Sequence, residues 1–328
     1  MKLGKVSQTV YRRSILKQLH TDKDVALILP SQEEYCYGVH QKEDELILNA
    51  EVSLYGNEKD IGTFAIAQAV NHLATKGAQA KGVSIQMMLP DYAFESRIKA
   101  MTASAKETAE ELGIQILKAD AQIVPGISTT IVHVTATGTL VRSEYRDMTA
   151  VAGQELVMVG YMGLEGSLRI KRAREEELAK RFIPAFLNKM ESYKQHIFAV
   201  KAMKIAAASG VSAMHQIVDG GVMAALWNLA ESAGIGLSVD MRKIAVKQET
   251  IEVCECFHLN PYQLTSAGAV LVVTDKGEEL ADTLTKEGIP AVVIGHTTEG
   301  NERVVYSGGE KRYLDKPAAD EITKILAE

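Results

Sequence analysis

The sequence predicts an α/β (α+β) protein of two domains, residues 1–150 and 151–328. Apolar β-type runs alternate along the chain with segments of helical periodicity, the pattern of layered sheets and helices. The length of 328 residues suits two cores of ordinary size. Between them the polar stretch 143–153, with Glu144, Arg146, Asp147 and Gly153, is the best candidate boundary.

A short helix-like segment, 10–19, opens the first domain. Two β-type runs follow, 24–29 and 46–54, with polar residues 40–45 between them. Residues 60–77 read as a helix, because Ile61, Ala65, Ala69 and Leu73 recur at fours and Gly77 stops it. A strand over 81–89 leads to Pro90-Asp91 and a long Ala/Glu/Lys-rich helix ending near Gly113. Residues 114–118 and the Thr/Val-rich 129–141 are strands, the latter suited to an extensive sheet. The second domain reads as strands at 156–161, 213–218, 237–239, 270–274 and 291–294. Helices are expected at 165–181, 197–209, 221–233, 248–257 and 276–287.

Composition narrows the function. With 46% hydrophobic and 24% charged residues and a net charge of −6, the chain is an ordinary globular protein. No basic block exceeds the short cluster Arg169-Ile-Lys-Arg-Ala-Arg174, so a nucleic-acid partner is not expected. The three cysteines, Cys36, Cys254 and Cys256, are too few for a disulfide framework and fit a reducing cytoplasm. Cys254 and Cys256 read as packing within a helix, a metal or redox role being the alternative. The N-terminus lacks an apolar leader and no run approaches a membrane span, so a cytoplasmic location without membrane attachment is expected.

Acids at element ends are the candidates for chemistry, since a hard cation such as Mg²⁺ takes oxygen ligands alongside phosphate oxygens. They are Asp22 and Asp24 entering a strand, Glu51 within a β run, Asp60 at a helix start, Asp120 after a strand, and Asp219 ahead of Gly220-Gly221. Asp60 reads either as an N-cap or as a ligand contact, and Asp219 either as a cap in a tight glycine turn or as a substrate-side group. Glu51 needs a partner or a cation if its strand is buried. Neither a Walker A sequence nor G-x-G-x-x-G occurs, there is no G-x-S-x-G, and the eight histidines lack metal-ligand spacing.

Taken in order, these segments resemble the superfamily of aminoimidazole ribonucleotide synthetase (AIR synthase, PurM), thiamine-monophosphate kinase, selenophosphate synthetase and the HypE-type hydrogenase maturation factor. Gly4-Lys5-Val6 looks like the opening of HypE-like members, and Asp22-Lys-Asp-Val-Ala-Leu27 is similar to their Gly-Asp-Asp-Ala-Ala-Val. Asp60-Ile-Gly62 with Ala69-Val-Asn-His-Leu-Ala-Thr-Lys-Gly-Ala78 is the most specific match. Lys118-Ala-Asp-Ala-Gln-Ile-Val-Pro-Gly126 resembles Gly-Asp-Thr-Lys-Val-Val-Pro. In the second half Asp219-Gly-Gly and its helix, His258-Leu-Asn-Pro261, Ser266-Ala-Gly268 and Ile294-Gly295 follow the family's landmarks. The resemblance implies a two-domain PurM/HypE-like architecture whose N-terminal sheet domains form a homodimer interface, with ATP and Mg²⁺ as cofactors. It implies Asp24, Glu51 and Asp120 as metal ligands, and Asp24, Asn71, Asp120 and Asp219 on the nucleotide.

The chain also departs from the pattern. His72 stands where the family has Asp, Glu51 replaces Asp, and Ala119, Ala121 and Gln122 replace the Gly, Thr and Lys around Asp120. HypE factors end in a cysteine that receives a carbamoyl group, whereas this sequence ends Ile325-Leu-Ala-Glu328, so thiocyanate formation on its own C-terminus is not expected. Three readings result: ATP-dependent phosphoryl activation of a small molecule or a group on a maturation partner protein, a small-molecule kinase resembling thiamine-monophosphate kinase, and a catalytically degenerate nucleotide-binding or regulatory dimer.

Overall fold

The computed structural model describes residues 8–9, 31, 33, 36–39 and 44–326. The expected strand 24–29 and the acids Asp22 and Asp24 lie outside the described residues. The chain divides into two compact units, Met1–Tyr145 and Arg146–Glu328.

Among its residues from 36 on that are described, the first unit is a five-stranded sheet with two helices on one face. Strands β1 (Cys36–Val39), β2 (Glu45–Tyr55), β3 (Gln79–Leu89), β4 (Gln115–Ile123) and β5 (Ile131–Val141) run in the order β1-β2-β5-β3-β4. All neighbours are antiparallel except β3 and β4, which helix α2 (Glu95–Glu111) joins as a parallel crossover. In β2, Leu46, Leu48, Ala50 and Val52 point into the core and alternate with exposed Glu45, Ile47, Glu51 and Ser53. Helix α1 (Ile61–Thr75) is buried at all fifteen positions: Ile61, Ala65, Ile66, Ala69, Val70 and Leu73 pack in the core, and the polar Gln68, Asn71 and His72 are enclosed with them. It ends in a Schellman turn in which Gly77 N–H bonds Ala74 O and Ala78 N–H bonds Leu73 O, both at 3.0 Å. The hydroxyls of Thr63 and Thr108 meet at 2.8 Å between α1 and α2.

In the second unit, seven strands form a sheet in the order β12-β11-β8-β10-β6-β9-β7. They are β6 (Glu155–Val159), β7 (Ala213–Gln216), β8 (Gly236–Asp240), β9 (Val270–Thr274), β10 (Ala291–Thr298), β11 (Arg303–Ser307) and β12 (Glu310–Tyr313). The helices are α3 (Leu164–Ala173), α4 (Glu175–Arg181), α5 (Pro184–Glu191), α6 (Val200–Ala208), α7 (Gly221–Ala233), α8 (Gln248–Cys256), α9 (Gly277–Lys286) and α10 (Thr323–Leu326). Every residue of β9 is buried, as the unbroken run Val-Leu-Val-Val implies for a strand covered on both faces. Leu156, Met158, Leu271 and Val273 pack on one face against Leu226 and Leu229 of α7.

Several elements differ from the sequence reading. The helix expected over 165–181 breaks at Arg174 (φ −126°) into α3 and α4. β4 continues past residue 118 to Ile123, so Asp120 lies within a strand and not after one. The strands β1, β11 and β12 and the helices α5 and α10 are additional to the expected set.

Candidate functional site

The N-terminal sheet has a second face, opposite its helices, and register fixes what stands on it. Glu51 pairs with Thr135, Thr135 with Ser84 and Ser84 with Lys118, while Ser53, His133, Gln86 and Asp120 form the adjacent row. Directly paired residues share a face, so Glu51 and Asp120 lie on the same outer surface. The face is polar and cross-linked: Ser53 Oγ meets His133 Nδ1 at 2.8 Å, and the Thr137 hydroxyl donates to Asn49 Oδ1 at 2.7 Å.

Three strand spacings and two residues of offset nevertheless separate Glu51 from Asp120, roughly 16 Å of backbone. Ligand oxygens sit about 2 Å from Mg²⁺, and two carboxylate side chains cannot span that gap to one ion. Within one chain, then, the register holds Glu51 and Asp120 apart on the shared outer face. Among the described residues no cluster of three or more His, Cys, Asp or Glu is placed to hold a metal.

Asp120 is exposed on the edge strand β4, and its Oδ1 accepts the Ala121 N–H at 2.9 Å. Its other oxygen has no protein partner among the described residues. Asn71 is fully buried in α1. His72 is likewise buried. Asp60 occupies the N-cap position of α1 without accepting a cap bond there. A small apolar crevice lies between α2 and the sheet, lined by Met87, Met101 and Ile116; it is on the core side, away from Glu51 and Asp120.

In the C-terminal unit the end of β6, the end of β7 and the start of β9 coincide, because Val159 and Gln216 both pair with Val270. Asp219 is exposed on the turn from β7 into α7. Gly221 has φ +66°, and a Cβ there would lie 2.5 Å from Tyr262 O, so the second glycine of the pair is required by close packing. The turn is capped from the far end of the chain: Asp320 Oδ2 accepts the Gly220 N–H at 2.8 Å and Oδ1 that of Ile322 at 2.9 Å. Burial, and then the charge of Asp219, push the Asp320 carboxyl up to about 7. This residue was not singled out from sequence, because nothing local marks a carboxylate one hundred residues from the turn it caps.

The cations of the Arg169 cluster are engaged by protein. Buried Arg169 lies 3.8 Å from Glu165, whose Oε2 accepts the Thr265 hydroxyl and the Ala267 N–H. Lys171 and Arg172 both bind Glu191. Cys254 is buried beside Glu321 and Asp320, and burial first, then those charges, push its thiol up to about 12. That environment fits packing and opposes thiolate chemistry.

Comparison with known proteins matches residues 37–140 to the N-terminal domain of AIR synthase related protein and residues 151–307 to its C-terminal domain. A carbamoyl dehydratase HypE of Rhodobacter capsulatus is 27% identical over 276 residues, covering 81% of this chain and 79% of that protein. Among solved structures, hydrogenase maturation protein HypE in complex with ATP superposes with a TM-score of 0.66 at 16% identity, over 98% of this chain and 97% of that one. ThiL complexed with AMPPCP and TMP gives 0.68 at 19% identity, over 87% and 91%. These likenesses show the two-domain fold. Among the described residues no helix is long and apolar enough to cross a membrane.

Proposed function

The chain belongs to the AIR synthase related proteins, and from that premise we propose that it binds ATP with Mg²⁺ and uses it to activate a small molecule, or a group on a partner protein, by phosphoryl transfer. The reading is supported above all by the presence of both family domains in order, in a chain that shares the fold of HypE solved with ATP over nearly its whole length. Phosphoryl transfer asks a protein for positioning and charge neutralisation, not for a covalent nucleophile. Exposed carboxylates on a rigid sheet suit that demand.

In this proposal Asp24 and Asp120 hold the metal and face the phosphates, and Asp219 is a nucleotide-binding residue. Glu51 serves a separate ion or the matching site of a second copy, and Asn71 supports the site from within α1. Mg²⁺, when bound, would neutralise phosphate charge. Asp120 is suited to it because one carboxylate oxygen is oriented by the Ala121 N–H while the other stays open. The proposed homodimer pairs the outer faces of two N-terminal sheets, where Ile47 and Tyr55 stand exposed among the polar residues.

Titration calorimetry with Mg-ATP, followed by phosphate-release and product analysis, tests the proposal. Saturable, Mg²⁺-dependent binding with turnover is expected, and Asp120→Ala should weaken binding about tenfold or more while leaving the melting temperature within a degree or two. No binding would overturn the reading. A stable phosphorylated product would favour the kinase, which the likeness to ThiL supports as the second reading. Binding without turnover would favour the regulatory dimer.

A further inference from the structure

The C-terminal unit carries a cation and aromatic cluster outside every acidic segment considered above. Tyr161 follows β6, Tyr193 and His196 lie between α5 and α6, and Lys247 is the N-cap residue of α8. Met162 forms a parallel bridge with Val246 and donates its N–H to Ala245 O at 2.9 Å, which sets Tyr161 and Lys247 side by side. Lys247 Nζ lies 4.1 Å from the Tyr161 ring centroid and 4.7 Å from that of Tyr193. His196 meets Tyr161 edge to face at 5.6 Å.

Two aromatic faces attract an ammonium but offer it no strong acceptor. Glu249, two residues along, is already engaged by Lys189 at 2.6 Å and by the Tyr193 hydroxyl at 3.1 Å. Burial opposes its ionisation, but the Lys189 hydrogen bond, its own N–H and Tyr193 outweigh that and hold the carboxyl below its ordinary range. Among the described residues the Lys247 ammonium makes no ion pair or hydrogen bond, and neither do the Tyr161 hydroxyl and the His196 ring. A half-buried cation with open donors, beside an open hydroxyl, is an anion-binding arrangement.

We propose that Lys247, Tyr161 and His196 form a binding site for the carboxylate of a small organic acid, with the ring of Tyr193 as its apolar wall. The charge count selects the class. Burial, and then the charge of Lys247, hold the His196 imidazole below its ordinary range, so it joins as a neutral group. One uncompensated positive charge then matches a monoanion, whereas a phosphate dianion would call for a second cation, and Lys189 is committed to Glu249. The site is independent of whether the chain binds ATP.

The test uses the full chain labelled at histidine Cε1, with the His196 resonance identified by its loss in His196→Gln. Sodium acetate, sodium benzoate, sodium phosphate and sodium chloride are titrated at matched ionic strength near neutral pH. A saturable shift of the His196 resonance with a carboxylate, absent with chloride, is expected. Lys247→Met should weaken binding about tenfold or more, and Tyr161→Phe, which keeps the ring and removes only the hydroxyl, about threefold. A response shared with chloride, no saturable response to either carboxylate, tighter binding of phosphate, or unchanged affinity in Tyr161→Phe and in a folded Lys247→Met would overturn the proposal.

Discussion

Asp320→Asn removes an ionisable group from the point where the last segment of the chain caps α7. The carboxyl is 2% exposed and accepts two main-chain N–H groups. Its value of about 7 in the fold compares with an ordinary 3.8. Between those values the native protein holds a proton that the unfolded chain has released, so the stability this group contributes is fully present in acid and is lost as pH rises towards 7. With these two values, linkage gives a loss of about 2.5 kcal/mol between about pH 5 and pH 8. Asn cannot titrate, so the variant should lack this component. Urea unfolding of both proteins across the range, with hydrogen exchange at Gly220 and Ile322, measures the difference, and subtraction cancels the other carboxylates. A wild-type-minus-variant slope near zero, or stability rising with pH, would refute the reasoning.

Gly221→Ala combines a left-handed backbone with a methyl group 2.5 Å from Tyr262 O, so a loss of about 3 kcal/mol is expected in thermal unfolding. Cys254, with its thiol at about 12, should carry about a thousandfold less thiolate than an ordinary cysteine near neutral pH. Peptide mapping after brief iodoacetamide treatment should therefore find half-buried Cys256 alkylated and Cys254 untouched until the protein is unfolded.

What was legible in the sequence follows from where periodicity carries information. Helix α1 was readable because Ile61, Ala65, Ala69 and Leu73 share one face and Gly77 ends the helix. The far half of β4 was not, since an exposed edge strand has no hydrophobic alternation to display; its pairing with β3 from Ile85 to Leu89 extends it. The hairpin β11–β12 is polar at its tip, yet Gly308-Gly309, both with positive φ, was a usable turn marker. Pro184 likewise marks the start of α5. At the candidate site, the sequence set Asp219 at a strand-to-helix turn, where it stands, but could not give the three strand spacings between Glu51 and Asp120. Nor could it bring together Tyr161, Tyr193, His196 and Lys247, which only tertiary packing unites.

The register of β2 against β5 joins Glu45 to Val141, and Tyr55 to Ile131, so the centre of the first sheet is built from opposite ends of its unit. While the ribosome makes this half, β2 and the apolar helix after it wait for β5, whose first residue Ile131 follows Tyr55 by 76 positions and Thr75 by 56. Closing so long a loop is entropically slow. The nascent chain consequently passes through a stage at which β2 and α1 can pack on each other while the sheet they belong to is unfinished, a stage open to misassociation.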